Sequence, residues 1–322
     1  MKQIKDLLHG PALPAGFVPD VLTGKAGKLR LQIVALGDVG MTMLLGLSLL
    51  GGEEISEVGI FDLSRENLAR LEMEFNQFRY PMDEKKFPRV FPVTEEELFD
   101  CDVFIFCASA GVPPLGTKGD VRMLQLEKNS RIIAHYGALA KSRNYKGLVC
   151  VVSDPVDPLA KEFLKTSSLS VSQIRGYGLG VMNARARYVA DHEERFFGYL
   201  TSGRAFGPHG EGLVLANSIV DYDDEISREL TKKVTEMNLK VRELGFKPYL
   251  APAISSAALS ILLTVRGEWH YSSIYLGDEE GGAFLGIRNR LTKDGSQFEE
   301  IELPPELFAR IRKSYEELRS LN

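Results

Sequence analysis

The sequence has few cysteines, a single tryptophan and no long apolar run. Its longest apolar stretch, 41–50, contains a glycine and is far shorter than the roughly 20 residues that span a bilayer. No signal peptide pattern opens the chain. Cys101, Cys107 and Cys150 lie in or beside apolar runs, without metal-ligand spacing. We therefore predict buried, reduced thiols in a cytoplasmic protein that has no metal site and does not bind membranes.

The chain also lacks the excess of basic over acidic residues that is typical of nucleic-acid-binding proteins. The formal net charge is −5, whereas phosphate binding needs a basic face, so we predict that nucleic acid is not a partner. At 322 residues the chain is long enough for two domains or one large α/β unit. Its partner is then expected to be a small molecule.

The apolar pattern of the first half predicts strands that alternate with helices, which is typical of a parallel sheet. The predicted strands are 29–36, 58–62, 87–92, 103–108 and 147–153, and the predicted helices are 39–50, 64–78 and 120–145. We expect a Rossmann-type doubly wound sheet over 28–154, preceded by an N-terminal arm, 1–27, that lies outside the core.

The pattern changes beyond Pro155 and predicts an α+β substrate domain over 155–322. A helix near 158–165 is followed by irregular and strand-like sequence through Gly207, within which Arg185 is placed on a helix. The remaining predicted elements are helices over 223–244, 251–265 and 304–321, with strands between 268 and 301.

A strand that leads through a glycine loop into a helix points to a nucleotide. The dinucleotide fingerprint has three glycines, and here Ala35 takes the first position while Gly37 and Gly40 take the others. Asp62 ends the next strand, where a carboxylate binds ribose hydroxyls and repels a 2′-phosphate; the alternative is a plain turn residue. We therefore predict NAD as the cofactor, bound in part by Gly37, Asp38, Val39, Gly40 and Asp62.

Two further motifs carry recognisable chemistry. The run IRGYGLGVMNARARY, 174–188, contains Arg185, and the later Gly207-Pro208-His209-Gly210 holds a histidine. Arginine can grip a carboxylate with two hydrogen bonds, and histidine can move a proton near neutral pH. With the glycine loop, these motifs resemble the lactate/malate dehydrogenase family, which reads roughly G-x-G-x-x-L-D-x-x-R-x-R and then G-x-H-G.

The resemblance implies roles for the middle of the chain. Residues 107–113 are similar to the family's strand end beneath the cofactor, which makes Ala108, Ser109, Ala110 and Gly111 cofactor-binding residues. Residues 116–129 resemble the mobile loop, with Arg122 as the arginine that polarises the substrate carbonyl; an exposed arginine at a helix start is the alternative. Arg185 and Arg122 would then bind the substrate.

The chain departs from the family at two catalytic positions. Met182 stands where the family has the aspartate that orients the histidine, and Asp154 stands where its N-P-V-D motif has asparagine. We predict His209, Arg122 and Asp154 as catalytic residues, with Asp154 hydrogen-bonded to His209 in place of the carboxylate lost at Met182. The alternative is that no carboxylate reaches His209 and Asp154 is an ordinary turn residue.

The resemblance implies an NAD-dependent oxidoreductase that transfers a hydride between nicotinamide and a small 2-hydroxy or 2-oxo carboxylic acid. A homodimer or homotetramer is expected from the same resemblance. The alternative is a catalytically impaired relative that serves as a dinucleotide-binding or sensor protein.

Overall fold

The computed structural model describes residues 2–21, 27–82, 87–111 and 121–321, without the side chains of 121–124. Strands and helices alternate in its first half as predicted. They are β1 (Leu29–Val34), α1 (Asp38–Leu50), β2 (Ile55–Phe61), α2 (Arg65–Phe75), β3 (Arg89–Pro92), β4 (Val103–Phe106), α3 (Val121–Ser142), β5 (Leu148–Val151), α4 (Val156–Ser167) and β6 (Ile174–Gly176). These six strands form the predicted parallel sheet, in the order β6-β5-β4-β1-β2-β3.

Burial on both faces explains why the central strands are continuous apolar runs. All four residues of β4 are fully buried, as are all four of β5. Helices cover the two faces of such a sheet, so neither side of the strand can be polar. The order reverses between β4 and β1, which opens a crevice at the carboxyl ends of these two strands.

The second half of the chain adds helices and an antiparallel extension of the sheet. Its elements are α5 (Leu179–His192), α6 (Gly198–Ser202), β7 (Arg204–Phe206), β8 (Val214–Ala216), α7 (Asp224–Glu243), a π-helix (Pro252–Ala258), α8 (Leu259–Val265), β9 (His270–Asp278), β10 (Gly281–Thr292), β11 (Gly295–Phe298) and α9 (Pro305–Ser320). The strand β9 joins β6 through the pair Gly176–Ser273. The predicted boundary at 154/155 stays a prediction. No helix in the described ranges is both long and apolar enough to cross a membrane.

The sequence left 166–207 largely irregular apart from a helix that carries Arg185; the structure confirms this helix as α5. Its N-cap, Gly178, has no side chain to cap the helix. The cap comes from a distant serine, since Ser256 Oγ accepts a hydrogen bond from the backbone N–H of Val181 at 2.8 Å and donates one to the carbonyl of Gly178 at 2.7 Å. A local helix-start signal is therefore missing from the sequence.

The expectation that the N-terminal arm lies outside the core is wrong for part of the segment. Ile4 and Leu7 are each 2% exposed on one 3₁₀ turn and belong to the apolar cluster that includes α9. The pairing of Lys2 with Leu303 fixes this turn to the end of the chain. The prolines and glycines of this segment suggested a loose arm, but all of them follow Leu7 and do not interrupt the turn that carries Ile4 and Leu7.

Ala35 takes up a backbone conformation that usually needs glycine. Its φ is +70°, in the left-handed region, at the first position of the fingerprint. A Cβ on Gly40 would lie 2.1 Å from the carbonyl oxygen of Ala35, so the third position accepts only glycine. The loop thus keeps the shape of the fingerprint despite the missing first glycine.

Candidate active site

The three predicted cofactor-binding segments lie at one edge of the sheet. The glycine loop follows β1, Asp62 follows β2, and Ala108–Gly111 follow β4, and these three strands are neighbours. Because parallel strands end at the same edge, the segments surround the crevice where the strand order reverses. This is the place where open α/β sheets bind their ligands.

The glycine loop has the form that a dinucleotide pyrophosphate requires. Gly37 is exposed, and nothing lies within 4 Å of the position that a Cβ would take there, so a ligand can approach the backbone. The N-cap of α1 is Gly37, which has no side chain to cap the helix. The first backbone N–H groups of a helix have no partner within it, so here they can bind an anion. The residues present therefore fit a bound NAD pyrophosphate.

Asp62 has a structural task as well as its predicted one. Its Oδ2 accepts a hydrogen bond from the N–H of Leu36 at 2.7 Å, and its Oδ1 accepts one from Ser64 at 3.0 Å. It thus fixes the glycine loop to the end of β2. Each carboxylate oxygen keeps acceptor capacity, so binding of ribose hydroxyls remains compatible with both bonds.

Asn129 on α3 joins the end of β4 to the end of β5. This fully buried side chain accepts a hydrogen bond from the N–H of Ala110 at 2.8 Å and donates to the carbonyl of Asp154 at 2.8 Å. Ser153 Oγ adds a bond to the carbonyl of Ala108 at 2.7 Å. The sequence marked Asn129 only as the last residue of a motif, so its bridging role was missed.

His209 and Asp154 meet as predicted from the sequence. The Nδ1 atom of His209 lies 3.1 Å from Oδ1 of Asp154, and the two side chains are 13% and 53% exposed. Gly178 makes room for the ring, because a Cβ there would lie 2.8 Å from the Cβ of His209. A carboxylate therefore reaches the imidazole from the end of β5, and its catalytic role stays a prediction.

Met182 lies in α5, where the family resemblance led us to compare it with an aspartate. The same helix carries Arg185, which is 6% exposed and lies with Nη1 3.6 Å from the sulfur of Met182. Its Nη2 donates to the side chain of Asn238 on α7, and burial lowers the pKa of Arg185 while Asp154 opposes that shift. The side chain of the neighbouring Asn183 accepts a hydrogen bond from the hydroxyl of Tyr199.

A cavity of about 780 Å³ opens beside His209 and Asp154. Arg185 is not among its described lining residues, whereas Met182 and Asn238 are. Arg122 lies in α3, but its side chain is outside the described part, as is the loop before it. The lining includes Gln125, Leu126, Asp154, Asp157, Met182, His209, Glu211, Thr231, Thr235, Glu236, Asn238, Leu318 and Leu321.

Asp157 is a buried acid on the wall of this cavity. It is 2% exposed, and its Oδ1 has no hydrogen-bond partner in the described structure. Burial raises the pKa of Asp157 from 3.8 to about 7, against a hydrogen bond from Ser273, while the charge of Asp154 raises it further and that of His209 lowers it. The sequence showed Asp157 only as the end of a motif, because burial cannot be read from its spacing.

The raised pKa of Asp157 makes the stability of the fold depend on pH. The folded state keeps this proton up to about pH 7, whereas the unfolded chain loses it near pH 4, so stability falls between these values as pH rises. Asp157→Asn removes that loss, and we expect its melting temperature to match the wild type near pH 4 and to exceed it by a few degrees at pH 8.5. An equal offset at both pH values, measured by calorimetry, would contradict this.

Comparison with known proteins gives the same assignment as the motifs. Residues 29–176 match the family model of the lactate/malate dehydrogenase NAD-binding domain. The L-lactate dehydrogenase of Corynebacterium jeikeium is 24% identical over 289 residues, which cover 80% of this chain and 85% of that protein. The malate dehydrogenase of Archaeoglobus fulgidus is 22% identical over 300 residues, which cover 90% and 97% respectively.

Solved structures extend the likeness to the whole fold. A structure of malate dehydrogenase from Archaeoglobus fulgidus in complex with NADH has a TM-score of 0.74 at 21% identity, and covers 91% of this chain and 98% of that one. At this identity the likeness establishes the architecture. Residues 29–176 thus match the NAD-binding domain of the lactate/malate dehydrogenases, and the chain over most of its length is similar to a lactate and a malate dehydrogenase at 24% and 22% identity.

Proposed function

We propose that this protein is an NAD-dependent oxidoreductase that acts on a small 2-hydroxy or 2-oxo carboxylic acid. The observation that carries the proposal is the contact between His209 and Asp154 at a cavity next to an NAD-binding domain. A histidine beside a carboxylate is a proton-transfer pair. The relatives named lactate and malate dehydrogenase supply the class of substrate.

The pair assigns a role to each nitrogen of His209. An ionised carboxylate can only accept, so the contact at 3.1 Å requires Nδ1–H to donate to Asp154 and leaves Nε2 free. In substrate oxidation, Nε2 takes the hydroxyl proton, and Asp154 orients the ring and stabilises its charged form. NAD, when bound, supplies the hydride acceptor.

The substrate carboxylate is assigned to Arg185, and the substrate carbonyl to Arg122. Arg185 is held behind the cavity wall by Asn238, so carboxylate binding requires the guanidinium to exchange this amide for the substrate. A carboxylate can form two charge-assisted bonds and is the stronger partner. Asp154 cannot donate to a developing oxyanion as asparagine would, which leaves that task to Arg122.

A second function, dinucleotide binding without turnover, is supported by two observations. Met182 provides no carboxylate on α5, and Arg185 is engaged by Asn238 rather than lining the cavity. A protein with these features would bind NAD(H), and so sense its concentration, without catalysing a reaction. The turnover test below separates the two functions.

We also propose a homodimer or homotetramer. Leu45 and Leu49 on α1 are 38% and 52% exposed, and Leu259 on α8 is 39% exposed. The two helices pack together, so these leucines offer apolar surface to a second copy. The support is therefore a face of α1 and α8 that a second copy can cover.

The oligomer can be tested by sedimentation. We expect a mass of two or four times the 35.8 kDa chain at micromolar concentration. Leu45→Lys with Leu49→Lys should move the protein towards the monomer, whereas Val220→Lys, on an exposed loop residue, should not. A wild-type protein that sediments as a monomer would exclude the proposal.

The cofactor assignment predicts a preference for NAD(H). Titration calorimetry should give at least roughly tenfold tighter binding of NADH than of NADPH, because the 2′-phosphate meets the carboxylate of Asp62. Asp62→Asn keeps the acceptor for the Leu36 bond and removes the charge, so the preference should shrink. Equal or tighter binding of NADPH by the wild type would contradict the assignment of NAD(H) as the cofactor.

The catalytic assignment predicts that Asp154 is needed for turnover. With NADH and a panel of 2-oxo acids, Asp154→Asn should lower kcat/KM roughly a hundredfold, the order of a general acid–base contribution. Asp191→Asn, on an exposed residue of α5, is the matched control and should leave kcat/KM unchanged.

Two other results of this assay would overturn the catalytic assignment. Higher activity of Asp154→Asn would mean that its charge obstructs an anionic substrate rather than orienting His209. NADH binding by the wild type without turnover of any 2-oxo acid would favour the non-catalytic function.

A further inference from the structure

An ion pair links the glycine loop to a distant part of the chain. The Nζ atom of Lys247 lies 2.8 Å from Oδ2 of Asp38, although the two residues are 209 positions apart. Asp38 is the first residue of α1, directly after Gly37, and Lys247 lies between α7 and the π-helix. The second half of the chain therefore places an ammonium group at the loop.

This arrangement resolves an electrostatic conflict at the loop. A carboxylate in the first turn of a helix favours the helix dipole. The same turn, however, is where the pyrophosphate of a dinucleotide lies, and its two negative charges are repelled by Asp38. Lys247 neutralises Asp38, and the hydrogen bond and charge of Asp38 raise the pKa of Lys247, so the ammonium stays charged.

The pair is poorly placed to serve the stability of the fold. The side chains of Lys247 and Asp38 are 78% and 45% exposed. Exposed ion pairs contribute little, since water screens the charges and both side chains lose freedom. An exposed ammonium on a flexible stem can, however, swing to a neighbouring anion without disturbing packed residues.

We propose that Lys247 is a cofactor-binding residue, whose ammonium is held at the loop by Asp38 in the free protein and binds the pyrophosphate in the complex. The proposal rests on the proposed NAD dependence, and adds a contact from outside residues 29–176, the part that matches the NAD-binding domain. The glycine fingerprint covers only the loop itself, so it cannot identify a residue of the second half.

The test compares ligands that differ in their phosphates. The dissociation constants of NADH and ADP-ribose are measured by calorimetry, and that of adenosine by NMR. Lys247→Ala should weaken NADH and ADP-ribose by roughly five- to tenfold, the expected loss of one exposed phosphate contact, and should leave adenosine unchanged. Lys247→Arg should bind within about twofold of the wild type, since it keeps the charge.

Salt dependence and a matched lysine provide the controls. Removing a lysine–phosphate contact should flatten the decrease of NADH affinity with salt. Lys240→Ala removes an exposed lysine from the last turn of α7 and should change neither the affinity nor its salt dependence.

A second variant separates direct contact from neutralisation of Asp38. If Lys247 binds the pyrophosphate, Lys247→Ala should weaken NADH in the Asp38→Asn background as well. Loss of the effect in that background, an unchanged NADH affinity of Lys247→Ala, or equal weakening of adenosine would each overturn the proposal. A wild-type protein that binds neither NADH nor ADP-ribose would overturn the cofactor assignment itself, and this proposal with it.

Discussion

The side-chain amide of Asn129 holds together the part of the molecule on which the site depends. From α3 it bonds to the N–H of Ala110 and to the carbonyl of Asp154, so the ends of β4 and β5 keep a fixed distance. Asp154 in turn contacts His209 on a loop of the second half. Because Asn129 is fully buried, breaking these bonds would leave its amide without partners, which is costly.

The acid that contacts His209 lies on a different element from the one the family resemblance suggests. The resemblance implies a carboxylate on α5, where this chain has Met182, and an amide at the end of β5, where it has Asp154. The observed contact gives His209 its carboxylate from the strand end. The carboxylate at the strand end, whose backbone carbonyl Asn129 binds, thus lies beside His209 although the helix residue is apolar.

The features that the sequence predicted well are local. The strand, loop and helix around Gly37 agree within two residues with β1 and α1, and α2 begins one residue from its predicted start, because apolar runs are read from neighbouring residues. The contact of Asp154 with His209 followed from aligned motifs. The start of α5 did not, because its cap, Ser256, comes from far along the chain.

Pairings between distant residues account for the other misses. Nothing in the local sequence shows that Asp38 meets Lys247, that Asn238 engages Arg185, or that Asp157 is buried. Such contacts depend on how the two halves of the chain pack together, and a single sequence does not contain that information. The sequence therefore predicted the contact of His209 with Asp154 but not these other partners, and the roles of the site residues stay predictions.

Ala35 has a consequence for the thermodynamics of ligand binding. A left-handed φ at a residue with a Cβ costs about 1–2 kcal/mol in the folded chain, which glycine would avoid. In exchange, alanine has fewer backbone conformations than glycine, so the unfolded chain loses less entropy at this position when it folds. The strained φ is already adopted in the folded chain, so a ligand that binds this loop does not have to impose it.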